Sequence, residues 1–249
     1  MTGVRPLLPA LALLLIVPAA RAAEPERGFL QRVYKEADGH EAKYALFVPH
    51  SYTPDQPVPV ILFLHGAGQA GTDGVRPTHM GLGNAIRQRE MSFPFLAVFP
   101  QAQRRDRNLF QTWFPGHAEG DRALAILDEV QKQFSTDPKR LYLTGLSMGG
   151  FGTWQMAAKF PGRWAAIAPV CGGGDPAAAE AVKDIPCWCF HGDADRAVPV
   201  SFARLMVEGL RKAGASPRYD EYPGVGHNSW DRAYATDELY QWLLQQHLK

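Results

Sequence analysis

From residue 43 onward the chain alternates apolar stretches of strand length with amphipathic stretches of helix length, and that alternation leaves few folds open. "KYALFVP" (43–49), "VPVILFLHG" (58–66), "FLAVFPQ" (95–101), "RLYLTG" (140–145), "WAAIAPVCG" (164–172), "CWCFHG" (187–192) and "RYDEYP" (218–223) read as strands. Helices are expected over 81–90, 121–134, 150–160, 201–214 and 237–248, with Asp137 and Pro138 ending the second and Pro161 and Gly162 the third. Several strands are apolar throughout, which suits an α/β architecture: a mostly parallel central sheet with helices on both faces. Ligands of such sheets sit beyond the carboxyl ends of the strands, so chemically active side chains are expected just after them.

At 249 residues and 46% hydrophobic content, a single domain over 23–249 accounts for the core. The 26 basic and 25 acidic residues form no block of like charge, which argues against nucleic acid or an anionic membrane as partner and for a small, roughly neutral substrate. Residues 1–22 read as a signal peptide. Arg5 precedes an apolar run from Leu7 to Val17, and Ala20 and Ala22 offer the small side chains a signal peptidase reads. The run is about half of the ~20 residues that span a bilayer, and Pro9 and Pro18 break it. Cleavage after Ala22, export to the periplasm or medium and no stable membrane insertion afterwards are expected, with oligomeric state left open. The mature chain would carry 24 basic and 25 acidic residues. Cys171, Cys187 and Cys189 have no metal-finger spacing. Cys187 and Cys189 share one face of a strand and are expected to pack as small hydrophobes, while a disulfide from Cys171 to either remains open.

"LTGLSMGGFGTW" (143–154) places Ser147 between Gly145 and Gly149, after one strand and before a helix. A strand-to-helix corner this sharp strains its central residue and needs small residues two before and two after it. An alcohol is a poor nucleophile at neutral pH, so a base and an acid that orients the base are required. His227 in "YPGVGHNSW" follows the last strand, and Asp193 and Asp195 in "CFHGDADRAVP" follow the one before. The order Ser, Asp, His is that of a nucleophile elbow in an α/β-hydrolase sheet. Upstream, "FLHGAGQAG" (63–71) ends a strand in a tight turn; the backbone N–H of Ala67, with Gly68 as the alternative, and that of Met148 are the expected oxyanion donors.

These segments, with "GLGNAI", "VFPQ" and "GHNSWDRAY", resemble secreted bacterial α/β-hydrolases of the dienelactone hydrolase, phospholipase/carboxylesterase and feruloyl esterase type, a group in the prolyl oligopeptidase clan. The resemblance runs from about Ala42 to Trp242. It implies Ser147 as nucleophile, His227 as base and, from the pattern H-G-x-x-D-x-x-V-P, Asp195 as the acid. The expected activity is hydrolysis of short-chain or aromatic acyl esters, small or polysaccharide-linked, through an acyl-enzyme, with no cofactor and no large lid. His191, Asp193 and Asp195 lie in one short loop with no further cluster, so no metal is expected there. Trp113 and Trp230 are candidates to line an aromatic pocket, whereas Gly152 and Trp154 are expected on the buried face of the elbow helix. Asp193 is expected to bond backbone N–H groups of its own turn.

Overall fold

The computed structural model describes Met1, Gly3 and residues 26–103 and 106–248. Apart from Met1 and Gly3, the expected leader and its cleavage point lie outside the described residues. One eight-stranded sheet organises the rest, in the order β1 (Gly28–Lys35), β2 (Glu41–Val48), β4 (Leu96–Pro100), β3 (Val58–Leu64), β5 (Thr136–Leu146), β6 (Ala166–Val170), β7 (Trp188–Gly192), β8 (Arg218–Tyr222). The first two pairings are antiparallel and the rest are parallel, as the apolar runs predict. Strand β1 was not expected: it is an edge strand whose apolar pairs Phe29–Leu30 and Val33–Tyr34 are interrupted by Gln31 and Arg32, so it lacks the continuous apolar run that marks the inner strands.

Among the described residues, seven α-helices cover the two faces: α1 (Leu82–Gln88), α2 (Ala118–Gln133), α3 (Met148–Lys159), α4 (Ala179–Val182), α5 (Ser201–Lys212), α6 (Trp230–Ala235) and α7 (Asp237–Leu244). Alternate residues of β3 divide between two cores. Val60, Leu62 and Leu64 pack with α2, α3, α4 and α5, while Ile61 and Phe63 pack with α1, α6 and α7. Cys187 and Cys189 belong to the first core and Cys171 to the second. A disulfide from Cys171 to either is therefore ruled out by the sheet between them, and all three are free, buried thiols. Between β6 and β7 the chain makes only a 3₁₀ turn, Pro176–Ala178, and the single turn of α4, so no large lid enters there. No helix among the described residues is long and apolar enough to cross a membrane.

Two features fix the upper edge of the sheet. Strands β3 and β5 pair with Leu64 opposite Gly145, and a Cβ on Gly149 would run into the Leu64 carbonyl oxygen. Only glycine lets α3 begin this close to β3. Beside it, His65 is wholly buried, accepts the Ala102 N–H at Nε2 (3.0 Å), and so carries its proton on Nδ1, which donates to Gly66 O (2.6 Å). The ring thereby ties the turn after β3 to the chain leaving β4.

Gly149→Ala should cost about 3 kcal/mol in denaturant unfolding, since the new methyl meets backbone rather than a movable side chain. Burial lowers the His65 pKa from 6.5 to about 4. An unfolded chain takes up this proton near 6.5 and the folded one only near 4, so stability present above that window is lost as pH falls through it. The loss from this group should be roughly 3 kcal/mol. His65→Gln, which can still accept from Ala102 but does not titrate, should flatten the dependence of the denaturation midpoint on pH over the same window.

Candidate active site

Ser147 sits between β5 and α3 with φ 54°, a left-handed conformation that a non-glycine residue adopts only when its surroundings hold it there. Its own N–H donates to Val170 O at the end of β6 (3.0 Å), and its carbonyl accepts the Phe151 N–H (3.1 Å). The strained residue is thus held from both sides, and its hydroxyl points up at a partly exposed position.

Three strand ends deliver the polar groups. His227 lies in the loop between β8 and α6, and its Nε2 is 2.9 Å from Ser147 Oγ. Its Nδ1 is 2.7 Å from Asp195 Oδ2, in the loop after β7. The Asp195 side chain is wholly buried, and its Oδ1 accepts the N–H groups of Ala197 (2.8 Å) and Val198 (2.9 Å). Those two donors fix the carboxylate so that Oδ2 faces the imidazole. With Nδ1–H directed at a carboxylate, Nε2 is left as the acceptor toward the hydroxyl.

Asp193 does not share this site. Its Oδ1 accepts the N–H of Gly224 (2.7 Å), so it braces the loop that carries His227 instead of closing its own turn. The expectation of a local bond is corrected, because the parallel pairing of β7 with β8 brings that distant loop alongside.

Ala67 opens the 3₁₀ turn Ala67–Gln69 after β3, and Met148 opens α3 after β5. First residues of helices have no carbonyl of their own helix to bond, so both N–H groups are free of intrahelical partners. The register of β3 with β5 sets these turns side by side, with Gly66 packed against Leu146.

Trp230 stands edge-on to His227, ring centroids 5.2 Å apart, and is half-buried. Trp113, by contrast, is wholly buried and lines nothing open to solvent. Its Nε1 donates to His65 O (2.9 Å), its ring meets the His65 ring edge-on, and its Cβ lies over Gly152. The pocket role expected of it is corrected: it is a prop beneath the turn of Ala67. An aromatic cluster beside the elbow, reaching solvent at Phe202, is made instead by residues that sequence reasoning passed over. Phe151, one helical turn beyond Ser147, stacks on Phe110 (4.3 Å) and meets Phe202 (5.7 Å), whose ring is 39% exposed. An apolar residue four beyond Ser147 was visible in "SMGGF", but the loops that bring Phe110 and Phe202 to it were not.

The family model "Esterase", described as "Putative esterase", matches residues 36–242. A thermostable esterase of known crystal structure is similar over 88% of this chain and 63% of its own, with a TM-score of 0.79 and 34% identity. The bifunctional acetylxylan esterase/xylanase XynS20E of Neocallimastix patriciarum is 28% identical over 65% of this chain and 22% of its own length. Poly(3-hydroxyalkanoate) depolymerase C of Paucimonas lemoignei is 33% identical over 46% of this chain and 28% of its own. The chain thus spans less than a third of each of these two curated relatives. The sheet order, the elbow and the structural neighbours are those of the α/β-hydrolase fold. With its family model matched across both the elbow and the His227 loop, the chain belongs to the Esterase family.

Proposed function

We propose that the protein is a serine hydrolase of carboxylic esters, acting on short-chain or aromatic, feruloyl-type acyl groups. One observation carries the reading: the unbroken line from Ser147 Oγ through His227 to Asp195, at 2.9 and 2.7 Å, on a strained elbow. Ser147 Oγ attacks the ester carbonyl while His227 Nε2 takes its proton, and Asp195 holds the imidazole in the Nδ1–H tautomer and stabilises the imidazolium. The tetrahedral oxyanion takes hydrogen bonds from Ala67 N–H and Met148 N–H, each worth about 3–4 kcal/mol at the transition state. His227 returns the proton to the departing alcohol, and water repeats the cycle on the acyl-enzyme. The steps call for no cofactor or metal.

The aromatic cluster of Phe110, Phe151 and Phe202 beside the elbow supports a short or aromatic acyl group, and the absence of a large insertion between β6 and β7 supports an open site. The acetylxylan esterase named among the relatives supports a small acyl group on a polysaccharide. Export on the leader at 1–22 fits such a substrate and belongs to the same proposal.

Hydrolysis of a panel of acetyl, butyryl, palmitoyl, feruloyl and peptide substrates should show the acetyl, butyryl or feruloyl ester turned over fastest; preference for palmitate or for peptides would sink the substrate assignment. Ser147→Ala should fold, lose fluorophosphonate labelling and lose roughly 10⁵-fold in turnover. Replacing the two loop acids separates their roles. Asp195→Asn should cost roughly 10⁴ in turnover by favouring the wrong imidazole tautomer. Asp193→Asn should leave turnover near wild type and cost at most about 1 kcal/mol of stability through its bond to Gly224. Melting temperatures measured alongside keep a folding defect from passing as a catalytic one.

A further inference from the structure

His191, in β7, is wholly buried, and no step of the proposed reaction uses it. Its Nε2 is 2.9 Å from Val198 O and 3.2 Å from Asp195 Oδ2, the same oxygen that faces His227 Nδ1. Both neighbours of Nε2 are acceptors, so the proton sits on Nε2 and is donated to Val198 O. Nδ1 is buried with no hydrogen-bond partner among the described residues, so a second proton there would be an unsatisfied buried donor. Burial, the largest influence on the ring, lowers its pKa.

We propose that His191 is a positioning residue for the triad: its Nε2–H, anchored on Val198 O, lies against Asp195 Oδ2 and limits how strongly that carboxylate holds a proton on His227. The inference rests on the esterase reading. Val198 is gripped at both ends, its N–H by Asp195 Oδ1 and its carbonyl by His191, so the carboxylate cannot turn without breaking one of these bonds. Asp195 Oδ1 is already filled by two N–H groups, which leaves Oδ2 as the oxygen that His227 and His191 share. The positive end of the His191 N–H dipole offsets part of the charge on Oδ2. Without it, the imidazolium form of His227 gains, and a higher pH is needed to free the base.

The other charged and titratable groups around His191 do not compete for this effect. Glu221, opposite His191 across the β7–β8 pair, is bonded to Arg204 and the Tyr219 hydroxyl, and Arg204 holds its pKa down to about 2. The Cys171 thiol, buried at the end of β6, has its pKa pushed well up by that burial. Neither changes charge near neutral pH.

The test is the pH dependence of fluorophosphonate labelling at Ser147 in the wild type, His191→Gln and His191→Leu. Leucine removes the donor and should move the acid-side midpoint up by about half a pH unit. Glutamine, whose amide N–H reaches close to the place of Nε2–H, should keep the wild-type midpoint. A folded leucine variant with an unchanged or lowered midpoint overturns the proposal and leaves His191 a packing residue. Nitrogen-15 NMR of the wild-type histidines gives a second readout that needs no variant. His191 should show the Nε2–H tautomer and stay neutral from about pH 8 to 5. The Nδ1–H tautomer, or protonation of His191 within that range, overturns the proposal as well. Failure of the wild type to label at Ser147 would instead count against the esterase reading, and the NMR result stands apart from it.

Discussion

The upper edge of the sheet depends on one close approach, that of Gly149 to the carbonyl end of β3. Because α3 can start there, the chain must reverse within a single residue, and Ser147 takes the strained conformation with φ 54°. Such a conformation costs on the order of 1–3 kcal/mol. Hydrogen bonds from Ser147 N–H to Val170 O and from Phe151 N–H to Ser147 O offset that cost locally. The same approach sets the first N–H of α3 beside the first N–H of the turn at Ala67. The proposed nucleophile and its two proposed oxyanion donors are thus one consequence of a single packing contact, and they cannot be shifted independently.

Two buried histidines hold the loops around this corner, and they do so in opposite tautomers. His65 keeps its proton on Nδ1 because Nε2 accepts from Ala102, while His191 keeps its proton on Nε2 because two acceptors face it. Each follows apolar strand residues, each is wholly buried, and each fixes a loop that carries a group of the proposed chemistry. Neutral imidazole suits such a brace, because it offers one donor and one acceptor in a rigid ring without the desolvation cost of a buried charge. The turn of Ala67 is braced from below as well, by the Trp113 indole on His65 O.

How much of this the sequence disclosed follows from the range of the interactions concerned. The convergence of Ser147, Asp195 and His227 was legible because each follows a strand in a short local pattern and their order in the chain restricts the arrangement. The inner strands were legible from continuous apolar runs. Strand β1, with its broken apolar run at the sheet edge, and α6, only six residues long, carry weaker local signals. Trp113 was misread because an indole in a loop after a strand looks available to a ligand. Only its placement over Gly152, 39 positions along the chain, shows that it is buried. Asp193 was misread for the same reason, its partner Gly224 lying 31 residues away across a parallel strand pair. His191 was noticed only as a rejected metal ligand, since the burial that makes it a candidate brace leaves no trace in the local pattern.

The site therefore divides into parts with different freedom to vary. The groups of the proposed reaction come from strand ends whose positions are set by sheet register and by backbone contacts that tolerate no added atoms. Phe151 belongs with them, since it is fixed one turn from Ser147 by the elbow itself. Phe110 and Phe202 come from elsewhere, one from the 3₁₀ turn Leu109–Gln111 after β4 and the other from the start of α5. Changing those two segments would reshape the aromatic surface without disturbing the register of β3 with β5 or the grip on Asp195. A fold built this way can keep one chemistry while exchanging substrates through its loops, which is why the elbow speaks to reaction class and the loops to acyl preference.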